Sequence, residues 1–233
     1  ITEPIETQVY GPEAERLYLG FRFAGASDES VFKLRLMDMI LSNSTAGLID
    51  LNLNQEQKLI GGGCFPMILK DYSVHGFYGS PKQGQSLEDV KDLLLAEIEK
   101  VKSGDFPDWL IPAIINDLKL ERIKQYESNK GRAGDFVDAF ILDVSWEWFV
   151  NGINSISQIT KQDIIDFART NYSNNYVLVN KRNGEDSSVM KVAKPKISPV
   201  DVNRKSESDF LTEIMDEKVD EIEPVFLDFK TDI

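Results

Sequence analysis

The stretch Leu17–Ala24 has an apolar residue at every odd position and a mixed set of residues between them. This period of two predicts a half-buried strand, with one face on the core and the other towards a neighbour or solvent. Ser27 then provides a helix cap, and Asp28 and Glu29 suit the positive end of a helix. A broadly apolar run predicts that this helix is largely buried: Val31, Phe32, Leu34, Leu36, Met37, Ile40 and Leu41.

A triple glycine joins two unlike patterns in the next part of the chain. In Ala46–Leu59 apolar residues are interleaved with Asp, Asn, Gln and Lys, which predicts a short helical segment lying on a core. After Gly61–Gly63 the pattern becomes strand-like. Two strands, Cys64–Leu69 and Tyr72–Tyr78, are close enough in sequence to form an antiparallel hairpin. Pro66 indicates that the first of them is an edge strand or carries a bulge.

Helical spacing of apolar residues predicts four consecutive helices in the second half of the chain. Capping signals open the first at Ser86 and the fourth at Thr160, and Gly104 ends the first. Pro107 opens the second, and Gly152 ends the third. These helices span residues 86–103, 107–128, 136–151 and 160–168, and a last strand follows over residues 176–179.

Strands followed by a block of helices and one returning strand are typical of an α+β domain, with several helices layered on an antiparallel or mixed sheet. We assign residues 17–195 to this domain. Residues 1–16 contain Pro4, Gly11 and Pro12 and have no sustained period, so we interpret them as an entering linker. Residues 196–233 are interpreted as an acidic linker towards a following domain, with a short amphipathic helix within residues 201–223.

Composition and charge narrow the classes of partner. The 233 residues are 42% hydrophobic, which is ample for a packed core. The formal net charge of −13 disfavours nucleic acid and anionic lipid, because both need clusters of Lys and Arg. One cysteine excludes an internal disulfide. No signal peptide or membrane-spanning run is visible. Because the first residue is not Met, we expect an excised piece, whose localisation cannot be predicted from this sequence.

Several stretches, taken in order, resemble the pitrilysin/insulinase family of inverted-zincin metallopeptidases. The segment NSTAGLIDLNLNQEQKLIGGGCF is the central one, and the similarity is to the family's non-catalytic, C-terminal-type domain. The resemblance implies a metallohydrolase-like α+β fold and a longer parent protein, in which homologous domains form two halves around a peptide-digesting chamber. The other matching stretches are residues 17–24, 28–43, 71–81, 85–106, 160–168 and 175–181.

The zinc-binding helix of that family is absent from this sequence. Inverted zincins use H-x-x-E-H, in which two imidazoles hold zinc and the glutamate activates water, and this chain has one histidine. We therefore predict no catalytic, metal-binding or cofactor-binding residue here, and zinc is implied only for the catalytic domain of the parent. His75 is interpreted as structural, since a metal role would need it to meet distant carboxylates. Cys64 is interpreted as a buried small hydrophobe.

Two further motifs are interpreted as scaffold. Gly61–Gly63 lacks the Lys-Ser/Thr of a phosphate loop and leads into a strand. The domain in the family's second half resembles a Leu-Arg pair followed, seven residues after the Arg, by Tyr, and this Arg and Tyr can bind peptide carbonyls. Alignment with that pattern places Asn54 at the Arg and Gly61 at the Tyr. Asn has no permanent positive charge and Gly has no side chain, so neither can bind substrate in this way. This chain should then be the domain that follows the zinc domain.

The tryptophans are interpreted as core or interface anchors: Trp109, Trp146 and Trp148.

The resemblance implies a non-catalytic structural domain of a zinc metalloendopeptidase, which forms part of the chamber wall and packs on the zinc-bearing domain. Its partners are then the other domains of the same polypeptide and the peptide substrate of the parent. The alternative is a non-enzymatic core subunit of the same fold, like those of respiratory complexes. A stand-alone acidic binding module has only the charge in its favour. Upstream sequence with H-x-x-E-H would support the peptidase, so whether the parent is an enzyme stays open.

Overall fold

The described part of the chain forms two separate units. The computed structural model describes residues 2–186, 193–200, 202–203 and 205–218, and the chain divides into Ile1–Val189 and Met190–Ile233. The elements of the first unit are β1 (Ile5–Gly11), β2 (Arg16–Ala24), α1 (Ser30–Leu41), a π-helical segment (Asp50–Gln55), β3 (Gly61–Ile68), β4 (Tyr72–Ser80), α2 (Leu87–Ser103), α3 (Leu110–Tyr126), α4 (Asn129–Leu142), α5 (Trp146–Ser157), α6 (Lys161–Asn171) and β5 (Tyr176–Asn183). The second unit contains α7 (Asp209–Asp216).

A mixed five-stranded sheet is the centre of the first unit. Its strand order is β1-β5-β2-β4-β3, with β1 parallel to β5 and every other neighbouring pair antiparallel. The prediction of an α+β fold with an antiparallel or mixed sheet is therefore confirmed. The β3–β4 hairpin is also present, and Pro66 lies on the edge strand β3, where proline is tolerated.

The core lies on one face of this sheet. The alternating residues of β2 that were predicted to point inwards are all buried, from Leu17 to Phe23. They belong to one apolar cluster with side chains of α1, α2 and α6. The cluster also includes Leu53 of the π-helical segment, which confirms a helical segment lying on the core.

Local capping explains why α2 and α6 were predictable. Ser86 and Thr160 each accept a hydrogen bond from the backbone N–H three residues on. The Asp89 and Asp163 carboxylates in turn accept one from the backbone N–H of the cap residue. Gly104 ends α2 in the left-handed region, at φ 78°. These hydrogen bonds join residues only three positions apart, so the capping-box motif alone is enough to predict them.

The first sixteen residues differ from the sequence interpretation, because Ile5–Gly11 is strand β1 and not an irregular linker. The strand runs beside β5 over seven paired positions. It lies at the edge of the sheet, and nearly all of its residues are exposed. Neither face of β1 is buried, so no alternation of apolar and polar residues marks it in the sequence.

The predicted helix over residues 136–151 is also wrong, since two helices occupy this region. Asp143 ends α4 with a left-handed backbone, at φ 56°. Ser145 then caps α5 by accepting a hydrogen bond from the Trp148 N–H. Gly152 does not end a helix but lies inside α5, where a Cβ would be 3.1 Å from the Phe32 ring. This glycine therefore serves close packing of α5 on α1.

Helix α7 matches the amphipathic pattern within residues 201–223, and none of its residues is buried. The acidic linker assigned to residues 196–233 lies outside the described residues from residue 219 onwards. In the part of the chain that the structure describes, no helix is both long and apolar enough to cross a membrane.

Candidate functional site

The second face of the sheet in the first unit is a surface of its own, which we call the open face. Strand register brings its side chains together: Tyr18 pairs with Tyr78 and Val179, and Val74 pairs with Met67. The described helices of this unit bury the opposite face. The open face comprises Ile5, Thr7, Val9, Arg16, Tyr18, Gly20, Arg22, Gly63, Phe65, Met67, Val74, Gly76, Tyr78, Val177, Val179 and Lys181.

The open face is apolar although it is not part of the core. Antiparallel sheets with one solvated face normally carry polar side chains there. Here Tyr18 and Phe65 are each 41% exposed and Met67 is 48% exposed. The cations of this face, which include Arg16 opposite Lys181, are already engaged. Arg16 donates to the Ser80 hydroxyl at 3.2 Å, Arg22 lies over the Tyr72 ring at 3.7 Å and Lys181 donates to backbone carbonyls. An apolar surface of this kind marks an interaction site.

Aromatic rings lie flat over glycines on the open face. A Cβ on Gly76 would be 2.5 Å from the Phe65 ring, and a Cβ on Gly63 would be 2.9 Å from the Tyr78 hydroxyl. Any larger residue would lift these rings from the sheet. Gly63, the last glycine of the triple-glycine motif, thus allows the Tyr78 ring to pack closely against the sheet.

A buried polar cluster lies on the core side of β3 and β4. His75 Nε2 is 3.1 Å from Asp38 Oδ1, and His75 Nδ1 is 2.6 Å from the Tyr172 hydroxyl. The Cys64 thiol donates to the backbone carbonyl of Asp38 at 3.5 Å. His75 and Tyr172 are almost fully buried, at 0% and 1% exposure. We call these four residues the polar cluster.

Burial favours the neutral forms of His75, Cys64 and Tyr172 in the polar cluster. It lowers the pKa of His75, although the hydrogen bond and charge of Asp38 oppose the shift. It raises the pKa of the Cys64 thiol well above its ordinary value, and the Asp38 charge adds to this. The pKa of Tyr172 is raised well above its ordinary value for the same reason. A neutral imidazole therefore donates from Nε2 to Asp38 and accepts from Tyr172. A thiol held in this form is not a nucleophile.

A family model described as the peptidase M16 inactive domain matches residues 3–118, about half of the chain. Residues 3–118 belong to the M16 inactive-domain family. The resemblance seen in the sequence is therefore confirmed. No match was found among curated proteins.

Solved structures share the fold of this inactive M16 domain. A protease from Helicobacter pylori is 18% identical with a TM-score of 0.71, over 76% of this chain and 43% of that one. The inactive peptidase domain of a candidate zinc protease from Bordetella parapertussis is 15% identical with a TM-score of 0.64, over 73% of this chain and 93% of that one. A chain of Complex III2 from Candida albicans is 10% identical with a TM-score of 0.63, over 76% of this chain and 45% of that one. The chain thus spans less than half of the Helicobacter protease.

Asn54, the residue aligned with the family's arginine, makes hydrogen bonds that hold two elements of the fold together. The Asn54 side chain donates to the Gly62 carbonyl at 2.8 Å and accepts from the Gly62 N–H at 2.9 Å. Both ends of its amide are therefore used to join the π-helical segment to β3. Gly61 offers no side chain beside it.

Replacing Asn54 by alanine should lower the free energy of unfolding by about 1–3 kcal/mol, because it leaves the buried Gly62 N–H without a partner. Chemical denaturation of the chain measures this, and Asn151→Ala on the exposed side of α5 is the control. In a longer protein that cleaves peptides, Asn54→Ala should change turnover little. A loss of two orders of magnitude in turnover at unchanged stability would show that Asn54 contacts substrate.

The three tryptophans have two different environments. Trp148 stacks on Phe32 at 4.7 Å between ring centroids and packs against the core. Trp146 and Trp109 are 41% and 57% exposed. Trp146 stacks on Phe136 at 4.2 Å and lines a groove between α3, α4 and α5. Trp148 is thus a partly buried anchor against the core, while an interface role for the other two stays a prediction.

Proposed function

We propose that this chain is a non-catalytic domain of a zinc metalloendopeptidase and that its open face packs against the zinc-bearing domain of the same polypeptide. The apolar open face is the observation that carries the proposal, since an exposed apolar surface of this kind is typical of a face that another domain covers. The relatives support it, because a protease in which such a domain is less than half of the chain has further domains to cover that face.

Catalysis is assigned to another domain because the ligands for it are missing here. A single histidine cannot form H-x-x-E-H. The first expectation is therefore that the isolated chain hydrolyses no peptide. In the parent, this domain supplies part of the chamber wall and holds the zinc-bearing domain in place.

An acidic residue on the open face tests the packing. Met67→Glu places a charge at a 48% exposed position of the edge strand, so the isolated chain should keep its thermal midpoint. In the longer parent the same change should bury an unpaired carboxylate between domains. Peptide cleavage should fall about tenfold or more, and the interdomain segments should become more sensitive to limited proteolysis.

The matched control is Ile123→Glu on α3, a 63% exposed position away from the sheet. It should leave cleavage by the parent unchanged. Full activity and an unchanged proteolysis pattern in the Met67→Glu parent would refute the packing proposal. Loss of activity only with Ile123→Glu would move the interface to the helical side.

The alternative is a non-enzymatic core subunit, and the fold similarity to Complex III2 from Candida albicans favours keeping it. Both functions use the open face for packing. The parent decides between them, because a peptidase requires H-x-x-E-H and a downstream glutamate in a preceding domain. A parent without that motif would be inactive, and its assembly with partner proteins would then be the property to measure.

A further inference from the structure

The single histidine and the single cysteine of the chain meet in the polar cluster. Sequence alone gave no reason to connect them, because a metal role for His75 needed ligands from elsewhere in the chain. The fold brings these ligands: Asp38 comes from α1, Cys64 from β3 and His75 from β4. One donor atom from each residue lies within 4.8 Å of the other two.

These three donors form a set that zinc prefers. Thiolate sulfur, imidazole nitrogen and carboxylate oxygen bind Zn²⁺ at about 2.0–2.3 Å, which places tetrahedral ligands about 3.3–3.6 Å apart. The 3.1 Å separation of His75 Nε2 and Asp38 Oδ1 is already close to this value. Because no donor pair is more than 4.8 Å apart, the widest gap would close by about 1.2 Å, within reach of small side-chain adjustments.

Tyr172 supplies the outer contact that such a histidine needs. Metal-bound histidines usually hydrogen-bond through their second ring nitrogen, which fixes the ring and its tautomer. The Tyr172 hydroxyl is 2.6 Å from His75 Nδ1. A hydroxyl can donate or accept, so it accepts from Nδ1–H when Nε2 gives up its proton to bind a metal.

Two of the three donor residues lie near the edge of the sheet or keep some exposure. Cys64 lies on edge strand β3 and is only half-buried. The Asp38 side chain keeps 13% exposure, while His75 lies behind them at 0%. Ser73, on the same face of β4 as His75, has a buried hydroxyl without a partner among the described residues. The surroundings of the three donors are therefore polar, and Asp38 and Cys64 are not fully buried.

We propose that Asp38, Cys64 and His75 form a structural site for a divalent transition-metal ion of the zinc type. Binding releases the thiol proton to solvent and joins α1 to the hairpin of β3 and β4. The site is distinct from the catalytic zinc implied for the parent, because it lies within the core and lacks the glutamate that activates water. It departs from the sequence expectation that the chain holds no metal.

Cobalt titration of the full chain tests the site. The protein is stripped with a chelator, kept reduced and titrated with Co²⁺, whose thiolate complex absorbs in the near ultraviolet. The expected result is this absorption at one equivalent, its removal by Zn²⁺, and a higher thermal midpoint with Zn²⁺. Since Cys64 is the only cysteine, any cobalt–thiolate absorption comes from it.

Variants separate this site from adventitious binding to acidic surface groups. Cys64→Ser should abolish the absorption, and His75→Gln should weaken Co²⁺ binding about tenfold or more. Tyr172→Phe should weaken it about tenfold without removing a ligand. The exposed carboxylate variant Glu99→Gln is the control and should bind as the unchanged chain does.

Thermal midpoints in chelator show which variants are folded. If His75→Gln does not fold, Cys64→Ser at its half-buried edge position still decides the matter. Saturating Co²⁺ without thiolate absorption, in a folded chain whose midpoint Zn²⁺ does not move, would overturn the site. Zinc stabilisation that persists in Cys64→Ser would show surface binding only and would overturn it as well.

Discussion

Replacing Phe21 by alanine should lower the free energy of unfolding by about 3–5 kcal/mol, as measured by chemical denaturation. Phe21 is 1% exposed and lies in the middle of β2, on the core face. Its ring centroid is 4.8 Å from that of Tyr172, 5.7 Å from that of Tyr176 and 6.0 Å from that of Phe77. Three aromatic neighbours from different elements cannot collapse into the space at once, so a large cavity remains.

The control is Phe65→Ala on the open face of the same sheet. Phe65 is 41% exposed and mainly covers Gly76, so its removal from the isolated chain should cost under about 1 kcal/mol. Equal losses at the two positions would mean that the open face is part of the core. In the parent, Phe65→Ala should become more destabilising than in the isolated chain, because the proposed partner domain would lose its contact.

Sequence patterns predicted those elements whose cause lies within a few residues. Strand β2 alternates because one of its faces is buried, and α2 carries its own capping box. Strand β1 has no buried face and was missed. The boundary between α4 and α5 was missed because it depends on a left-handed aspartate, Asp143, and not on a glycine. Such a residue is an uncommon helix stop.

The candidate sites were less accessible to sequence reasoning. The alternation in β2 indicated a face towards a neighbour or solvent, but the apolar character of the open face depends on strand register. In the polar cluster, His75 meets Tyr172 across 97 residues and Asp38 across 37 residues. No local spacing encodes these contacts, because they arise only when α1, α6 and the hairpin pack together.

Asp135→Asn should destabilise the chain by about 2–4 kcal/mol. Asp135 on α4 is 2% exposed and accepts hydrogen bonds from Arg122 and Gln125 of α3, both at 2.6 Å. Removing one partner of a buried ion pair leaves the other charge uncompensated. Arg122 also repels Arg35, whose pKa is lowered by burial and by this neighbouring charge. The loss stays below the largest values for buried pairs, because the Arg122 side chain retains 19% exposure.

Asp143→Asn is the matched control, since it removes the same charge from an exposed pair. Asp143 and Lys70 are 2.8 Å apart with side chains 69% and 57% exposed, and exposed pairs contribute little because water and salt screen them. Asparagine also tolerates the left-handed backbone at this position. The denaturation midpoint should therefore not move for Asp143→Asn. A midpoint that falls equally in both variants would show that the contact between α3 and α4 does not depend on burial of Asp135.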